Sequence, residues 1–149
     1  MRIHGTLIAA TANPHAATRR VEDADRKLDG HNVCPPCSMG FRLAAAVACA
    51  RAGHRDQARR RLQAAERIAG MWPGGAWHAA IWEGHGVLRQ AEGDTARAAA
   101  LYSEAAGQFA ELGAHSTETG AAPQPSKRQP PAARPTHPSL SCNPNATRA

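Results

Sequence analysis

Residues 76–113, AWHAAIWEGHGVLRQAEGDTARAAALYSEAAGQFAELG, contain the pattern that decides the fold. In the second half of this stretch, apolar side chains recur three and four positions apart, as on one face of an α-helix: Ala98, Leu101, Tyr102, Ala105, Phe109 and Leu112. We expect this helix to begin after Asp94, whose carboxylate can cap the first free amides, and to end at Gly113. An earlier helix is predicted from Ala76 to Glu92, so the two together predict an αα-hairpin.

The composition of the whole chain favours packed helices over sheets. The chain has 149 residues, of which 42% are hydrophobic but only 4% aromatic, and alanine supplies more than half of the hydrophobic residues. Alanine favours helices, whereas β-branched and aromatic side chains fill the pleated faces of sheets. The mean hydropathy of −0.48, without a long apolar run, argues against a membrane-spanning segment. We therefore predict an all-α protein that makes no membrane contact.

The hairpin matches the tetratricopeptide pattern of paired helices at six positions with the same intervals. These positions are Trp82, Gly86, Gly93, Ala98, Tyr102 and Ala105. A shift of 40 residues toward the N-terminus places Ala46, Gly53, Ala58, Leu62 and Ala65 on corresponding positions. A further shift of 41 residues reaches a degenerate copy with Gly5, Ala17, Val21 and Ala24. The chain thus resembles a tetratricopeptide-like array of about two and a half hairpins, with a period of about 40 residues.

The small residues of this pattern suggest close helix crossings. We expect Gly86 and the matched alanines to lie where a side chain larger than methyl would push two helices apart. Tyr102 and Leu62 are expected to fill the gaps between hairpins. Gly84 has no such explanation in the sequence, and a glycine inside a helix costs about 1 kcal/mol relative to alanine.

A change of composition after Gly113 predicts the domain organisation. Residues 1–113 are expected to form the helical-repeat domain, in which residues 1–37 are the degenerate first repeat and a CxxC turn. Residues 114–149 hold seven of the eleven prolines and no periodic apolar face, which predicts a disordered Pro/Ala/Arg-rich tail. Such a composition is also typical of a GC-rich gene translated in the wrong frame, so we hypothesise a frameshifted or truncated remnant of a longer array.

Five sequence blocks together resemble the helical-repeat region of large LuxR-type, ATP-binding bacterial transcriptional regulators. The blocks are CPPC at 34–37, FRLAAA at 41–46, ERIA at 66–69, WPGGAW at 72–77 and FAELG at 109–113. The resemblance covers residues 16–113. It implies a protein-interaction or ligand-sensing scaffold that lacks the family's nucleotide-binding and helix-turn-helix domains.

The spacing His31-x-x-Cys34-x-x-Cys37 is the strongest local signal for a chemical site. A C-x-x-C turn presents two thiolates to one metal ion, and a histidine three residues earlier can reach the same ion, which suggests zinc. A fourth ligand would have to come from elsewhere in the chain; the candidates are Cys49, His54, His78 and Cys142. We therefore keep a small zinc-binding module as an alternative.

Two further interpretations of the same cysteines need no metal. Cys34 at the start of a helix could act as a redox nucleophile, because helix N-termini stabilise thiolates, although no βαβ pattern surrounds it. The favoured interpretation is a proline-stiffened turn between hairpins, in which the reduced cysteines pack as small apolar groups.

Neither the arginines nor the tryptophans of the sequence indicate a binding site for one class of ligand. Five arginines form a basic helix face, but Asp56 and Glu66 interrupt it and no aromatic side chain accompanies it, so we expect a solvated face and no direct nucleic-acid binding. The arginines are Arg55, Arg59, Arg60, Arg61 and Arg67. Trp72, Trp77 and Trp82 are expected to pack in the core or in a turn.

Catalysis finds no support in the sequence. Lys27 and Lys127 both lie outside a GxxxxGK context, and no serine has a histidine base at a recognised spacing, so we predict no enzyme and no cofactor apart from the zinc alternative. Residues 1–13 do not resemble a signal peptide, which predicts a cytoplasmic protein. The expected partner is a protein, a peptide or a small effector held in the groove of the helical array. The sequence leaves the oligomeric state open.

Overall fold

Six α-helices and one 3-10 turn form the regular structure in the computed structural model, which describes residues 1–71 and 75–118. The helices are α1 (Arg2–Ala9), α2 (Pro14–Leu28), α3 (Met39–Arg51), α4 (Arg55–Ala69), α5 (Ala76–Glu92) and α6 (Thr95–Glu118), and the 3-10 turn (Pro36–Ser38) leads into α3. The described part of the chain contains no strand, so the all-α prediction is confirmed. Within these residues no helix is both long and apolar enough to cross a membrane.

The hairpin predicted for residues 76–113 is present, with one difference at its end. Helix α5 has the predicted bounds, and the Asp94 side chain accepts a hydrogen bond from the backbone N–H of Arg97 at 3.1 Å, as expected of a cap. The prediction that the second helix ends at Gly113 is wrong, because α6 continues to Glu118. Gly113 does not adopt a left-handed conformation, and without one a glycine remains compatible with the helix.

Two of the connections between helices, at Gly53 and at Gly93, have the same backbone conformation and hydrogen bonds. Gly53 and Gly93, 40 residues apart, both have left-handed backbones, with φ of 84° and 89°. The residue after each glycine donates a backbone hydrogen bond to the carbonyl five positions earlier: His54 to Cys49 at 2.8 Å, and Asp94 to Arg89 at 2.9 Å. This is the Schellman arrangement, in which a left-handed residue lets the chain turn while the last helix carbonyls stay bonded.

Each helix contacts its neighbours in a regular order. Pairs adjacent in the chain pack together, namely α1 with α2, α3 with α4 and α5 with α6. The odd helices also contact one another, α1 with α3 and α3 with α5, and each of α2 and α4 packs on the odd helix that follows it. Helix α3 therefore lies at the centre, where one side of it joins a core with α1 and α2 and another joins a core with α4 and α5.

Three glycines lie where helices come close together. A Cβ at Gly86 would lie 2.6 Å from the ring of Tyr102, and a Cβ at Gly84 would lie 2.7 Å from a methyl group of Leu62. On α1, a Cβ at Gly5 would lie 3.1 Å from the backbone of α3 at Gly40. The contact with Leu62 supplies the packing reason for Gly84 that the sequence lacked.

The residues matched to the repeat pattern differ in how deeply they are buried. All of the matched alanines and Leu62 are buried, in the set Ala17, Ala24, Ala46, Ala58, Leu62, Ala65, Ala98 and Ala105. Trp82 and Tyr102 are half-buried, and the Tyr102 hydroxyl donates a hydrogen bond to the side-chain oxygen of Gln90 at 2.9 Å. Phe109, expected on the buried face of α6, is 42% exposed. The proposed tail lies outside the described residues from 119 onward.

The contact between Gly86 and Tyr102 predicts how an alanine at this position affects stability. We expect Gly86→Ala to lower the free energy of unfolding by about 1–3 kcal/mol, because overpacking outweighs the higher helix propensity of alanine. In a Tyr102→Ala background the ring is gone, so the same change should be neutral or stabilising. Chemical denaturation of the wild type, the two single variants and the double variant forms a double-mutant cycle, which measures the coupling free energy between positions 86 and 102.

Gly107→Ala is the matched control for this cycle. Gly107 is an exposed glycine of α6, and a Cβ built there meets nothing within 4 Å. This change should raise stability by up to about 1 kcal/mol in either background. Equal effects of Gly86→Ala with and without the Tyr102 ring would contradict the proposed crossing.

Candidate functional site

A groove runs across the outward faces of α1, α3 and α5. It consists of two cavities of about 480 and 310 Å³ that share Ala9 and Ala44 in their walls. Residues that line it from the three helices are Arg2, Thr6, Ala9, Gly40, Ala44, Val47, Arg51, Trp77, Ala80 and Glu83. We refer to this surface as the α1–α3–α5 groove.

The shape of this groove follows from the small residues on α3. Gly40, Ala44, Val47 and Arg51 are four, three and four positions apart, which places them on one face of that helix. A Cβ built on Gly40 would meet nothing within 4 Å, so open space lies above the helix at this point. The close approach of α1 at Gly5 brings the first wall of the groove against α3.

The chemistry of the groove is apolar in its floor, with charged residues among those that line it. Trp77 is 40% exposed and lines the larger cavity together with Arg2, so the expectation that it packs in the core is wrong. Arg51 and Glu83 are the charged residues that line the smaller cavity. An exposed indole beside alanine and glycine offers an apolar surface, and the arginines offer hydrogen bonds to a carboxylate.

A separate cavity of about 360 Å³ lies between α4, α5 and α6. Trp82, His78 and Arg97 line it, and His85 of the same wall lies 2.6 Å from the Glu66 carboxylate. The two histidines share this cavity without forming a metal site, since no group of three or more metal-ligating side chains is present among the described residues. Trp72 lies outside the described residues.

Cys34 and Cys37 lie side by side at the surface, at the start of the 3-10 turn. Both thiols are exposed, so the expectation that they pack as apolar groups is wrong. The Cys37 thiol and the Cys37 backbone N–H donate hydrogen bonds to the Cys34 sulfur, which lowers the pKa of the Cys34 thiol. The same contact raises the pKa of Cys37, because that thiol keeps its proton to serve as the donor.

The third member of the predicted zinc triad does not join the two cysteines in the described structure. The ring Nδ1 of His31 lies 3.1 Å from the carbonyl oxygen of Asp29, and the residue lines a different cavity with Phe41. Two candidates for the fourth ligand lie apart as well: Cys49 is buried with its thiol directed at Gln57, 3.6 Å away, and His78 lines the cavity between α4, α5 and α6. Cys142 falls outside the described residues. Burial raises the pKa of Cys49, which keeps this thiol protonated.

The arginines of α4 tie helices together. Arg59 pairs with Asp56 at 2.8 Å on its own helix and with Glu92 at the end of α5. Arg61 pairs with Asp25 of α2. Two of the five arginines are thus engaged with carboxylates, which leaves less positive charge on this helix face than the sequence suggests.

The sequence contained a signal for the groove that the repeat pattern does not use. The positions matched to the repeat in α3 to α6 do not line the groove, whereas Gly5 and Ala17 of the degenerate copy do. The spacing of Gly40, Ala44 and Val47 could have indicated a helix face of small residues at the edge of the core, where Ala44 and Val47 are partly buried.

Comparison with protein-family models, with curated proteins and with solved structures gives no match to this chain.

The Glu92 carboxylate joins two helices and predicts a pH effect on stability. Partial burial raises its pKa, but hydrogen bonds and charges from Arg59 and Arg89 outweigh this, so the net pKa of Glu92 lies below its ordinary value. We expect Glu92→Gln to lower the free energy of unfolding at pH 7 by up to about 1 kcal/mol. A carboxylate with a lowered pKa stabilises the fold above its unfolded pKa and ceases to do so as pH falls through the folded value.

Denaturation of wild type and Glu92→Gln from pH 7 to pH 2 measures this difference, which should shrink as the solution becomes acidic. Glu104→Gln on the exposed face of α6 is the matched control, with little expected effect at either pH. A Glu92→Gln effect that stays constant over the pH range would contradict a role for the ionised carboxylate.

Proposed function

We propose that this chain is a non-catalytic interaction scaffold that holds a peptide or a small effector in the α1–α3–α5 groove. The observation that carries the proposal is the groove itself, with its exposed Trp77, its open space above Gly40 and its alanine floor. Apolar side chains of a ligand would contact this floor, and a carboxylate would bind Arg2 or Arg51.

A tetratricopeptide-like stack of hairpins is the architecture that we propose for this scaffold. The equivalent turns at Gly53 and Gly93 support it, because they repeat one backbone conformation at a 40-residue interval. The contacts between successive odd helices support it too, since stacked hairpins bury their faces against the next hairpin. In such arrays a row of equivalent helices forms an extended binding surface.

The relationship to LuxR-type regulators remains part of the proposal. On this view the chain is related to the repeat region of such a regulator, acts in the cytoplasm and binds its partner as that region would. The pairing of Arg59 and Arg61 with carboxylates supports a protein or effector partner over nucleic acid.

Substitution of Gly40 by phenylalanine tests the groove. We expect Gly40→Phe to fill the larger cavity without disturbing the core, since the new side chain enters open space. Peptides selected on the wild-type protein from a displayed random library should bind this variant at least about tenfold more weakly, a difference of about 1.4 kcal/mol. Isothermal titration calorimetry measures the affinities.

Gly107→Phe is the matched control, because it adds the same side chain to an exposed, open glycine on α6. It should leave peptide binding unchanged, and circular dichroism should show native helix content for both variants. Equal affinity of the selected peptides for Gly40→Phe and wild type would reject this groove as the binding surface, as would a library that yields no binders.

The metal content of the protein distinguishes the scaffold from the zinc module kept as an alternative. For the scaffold we expect the full chain, purified under reducing conditions, to be folded without stoichiometric zinc, as measured by elemental analysis and circular dichroism. One zinc per chain that is lost in both Cys34→Ser and His31→Ala would favour the zinc module instead. Cys49→Ser serves as the control, since that buried thiol faces Gln57.

A further inference from the structure

The turn between α2 and α3 holds two thiols in one fixed geometry. Cys37 lies within the 3-10 turn (Pro36–Ser38) and Cys34 lies two residues before it, joined to the turn by the hydrogen bond from the Ser38 backbone N–H to the Cys34 carbonyl oxygen. Residues three apart in a helical turn have Cβ atoms about 5–6 Å apart, whereas a disulfide needs about 3.5–4.5 Å, so closure requires the turn to tighten.

Hydrogen bonds from Ser38 keep this turn in place. Its backbone N–H donates to the carbonyl oxygens of Cys34 at 3.2 Å and Pro35 at 3.1 Å, and its hydroxyl donates to the Pro35 carbonyl at 2.7 Å. Ser38 is fully buried, and its hydroxyl oxygen accepts a hydrogen bond from Nε of Arg42 at 2.9 Å. The two sulfur atoms are thus presented to solvent by a turn that is anchored in the core.

We propose that Cys34 and Cys37 form a redox-active pair that undergoes thiol–disulfide exchange with small disulfides of the glutathione class. Cys34 is the attacking thiolate and Cys37 is the resolving thiol. This proposal stands on the local geometry of residues 34–38. Cys37 also lines the larger cavity of the α1–α3–α5 groove, but the exchange requires no ligand in that groove.

The exchange takes place in two balanced steps. The Cys34 thiolate attacks one sulfur of the disulfide, which forms a mixed disulfide and releases one thiolate. Cys37 then gives its proton to solvent and attacks the Cys34 sulfur, which closes the Cys34–Cys37 disulfide and releases the second thiolate. The small disulfide is reduced to two thiols, and the protein dithiol is oxidised; an excess of small thiol reverses both steps.

The environment of the two thiols fits these different roles. The hydrogen bonds that Cys37 donates to the Cys34 sulfur hold the pKa of Cys34 below its ordinary value, which gives Cys34 more thiolate character than an ordinary exposed cysteine. Cys49 provides the contrast within the same protein, because it is buried and its pKa is raised. Of these three thiols, only the pair at the turn is open to a small disulfide.

Equilibration of the full chain with mixtures of reduced and oxidised glutathione tests the proposal. The Cys142→Ser background removes the fourth cysteine of the sequence, and a chelator removes metal ions. After an acid quench, mass spectrometry should show the loss of two hydrogens and a single disulfide between Cys34 and Cys37. Cys37→Ser should instead accumulate one glutathione on Cys34, while Cys34→Ser should lose the internal disulfide and react more slowly.

The pH dependence of alkylation by iodoacetamide separates the redox role from a structural one. The pH at which the alkylation rate of Cys34 is half-maximal should be higher in Cys37→Ala than in Cys37→Ser, because the alanine side chain cannot donate a hydrogen bond to the thiolate. Circular dichroism should show intact helices in all variants, since both side chains are exposed. Two glutathione adducts on one wild-type chain without an internal disulfide, or equal reaction rates at the two cysteines, would overturn the proposal.

Discussion

The packing of Leu62 into the space beside Gly84 is the contact on which the arrangement of the helices depends. It brings α4 against one face of α5, while Tyr102 brings α6 against another face at Gly86. The two glycines are two residues apart, so α5 receives one large side chain from α4 and one from α6 within a single turn. Leu62 is fully buried and has little room to move, which fixes the distance between α4 and α5.

The position of α5 in turn sets one wall of the groove. Gly84 contacts Leu62 and also lines the smaller cavity, so the core contact and the open surface meet in the same turn of helix. Helix α3 has a similar double role, because it contributes to both hydrophobic cores and presents Gly40 and Ala44 to the groove. The groove is therefore supported by close-packed helices, which suits a binding surface that exists before its ligand arrives.

Local signals in the sequence were sufficient to predict the helices but not to predict which residues form the groove. The bounds of α5 and the capping role of Asp94 follow from short-range patterns, because capping and periodicity depend on neighbours within one or two turns. The close contact of Gly84 with Leu62 joins residues far apart in the chain, and no local pattern reports it. Exposure of Trp77 likewise depends on which helix faces are left uncovered. Gly113 misled the prediction because a glycine permits a helix end without requiring one.

The two equivalent turns differ in one respect that affects motion. At the second turn, Asp94 holds a free amide of α6, whereas the first turn of α4 begins at His54, whose side chain makes no capping hydrogen bond. The Arg55 amide donates to the Gly53 carbonyl at 2.9 Å, but no side chain of the N-cap residue holds the next amides of α4, so this helix end can open at a smaller cost in free energy. Two hairpins with the same backbone turn thus differ in local stability, so their amide hydrogens exchange with solvent at different rates, and α4 frays first.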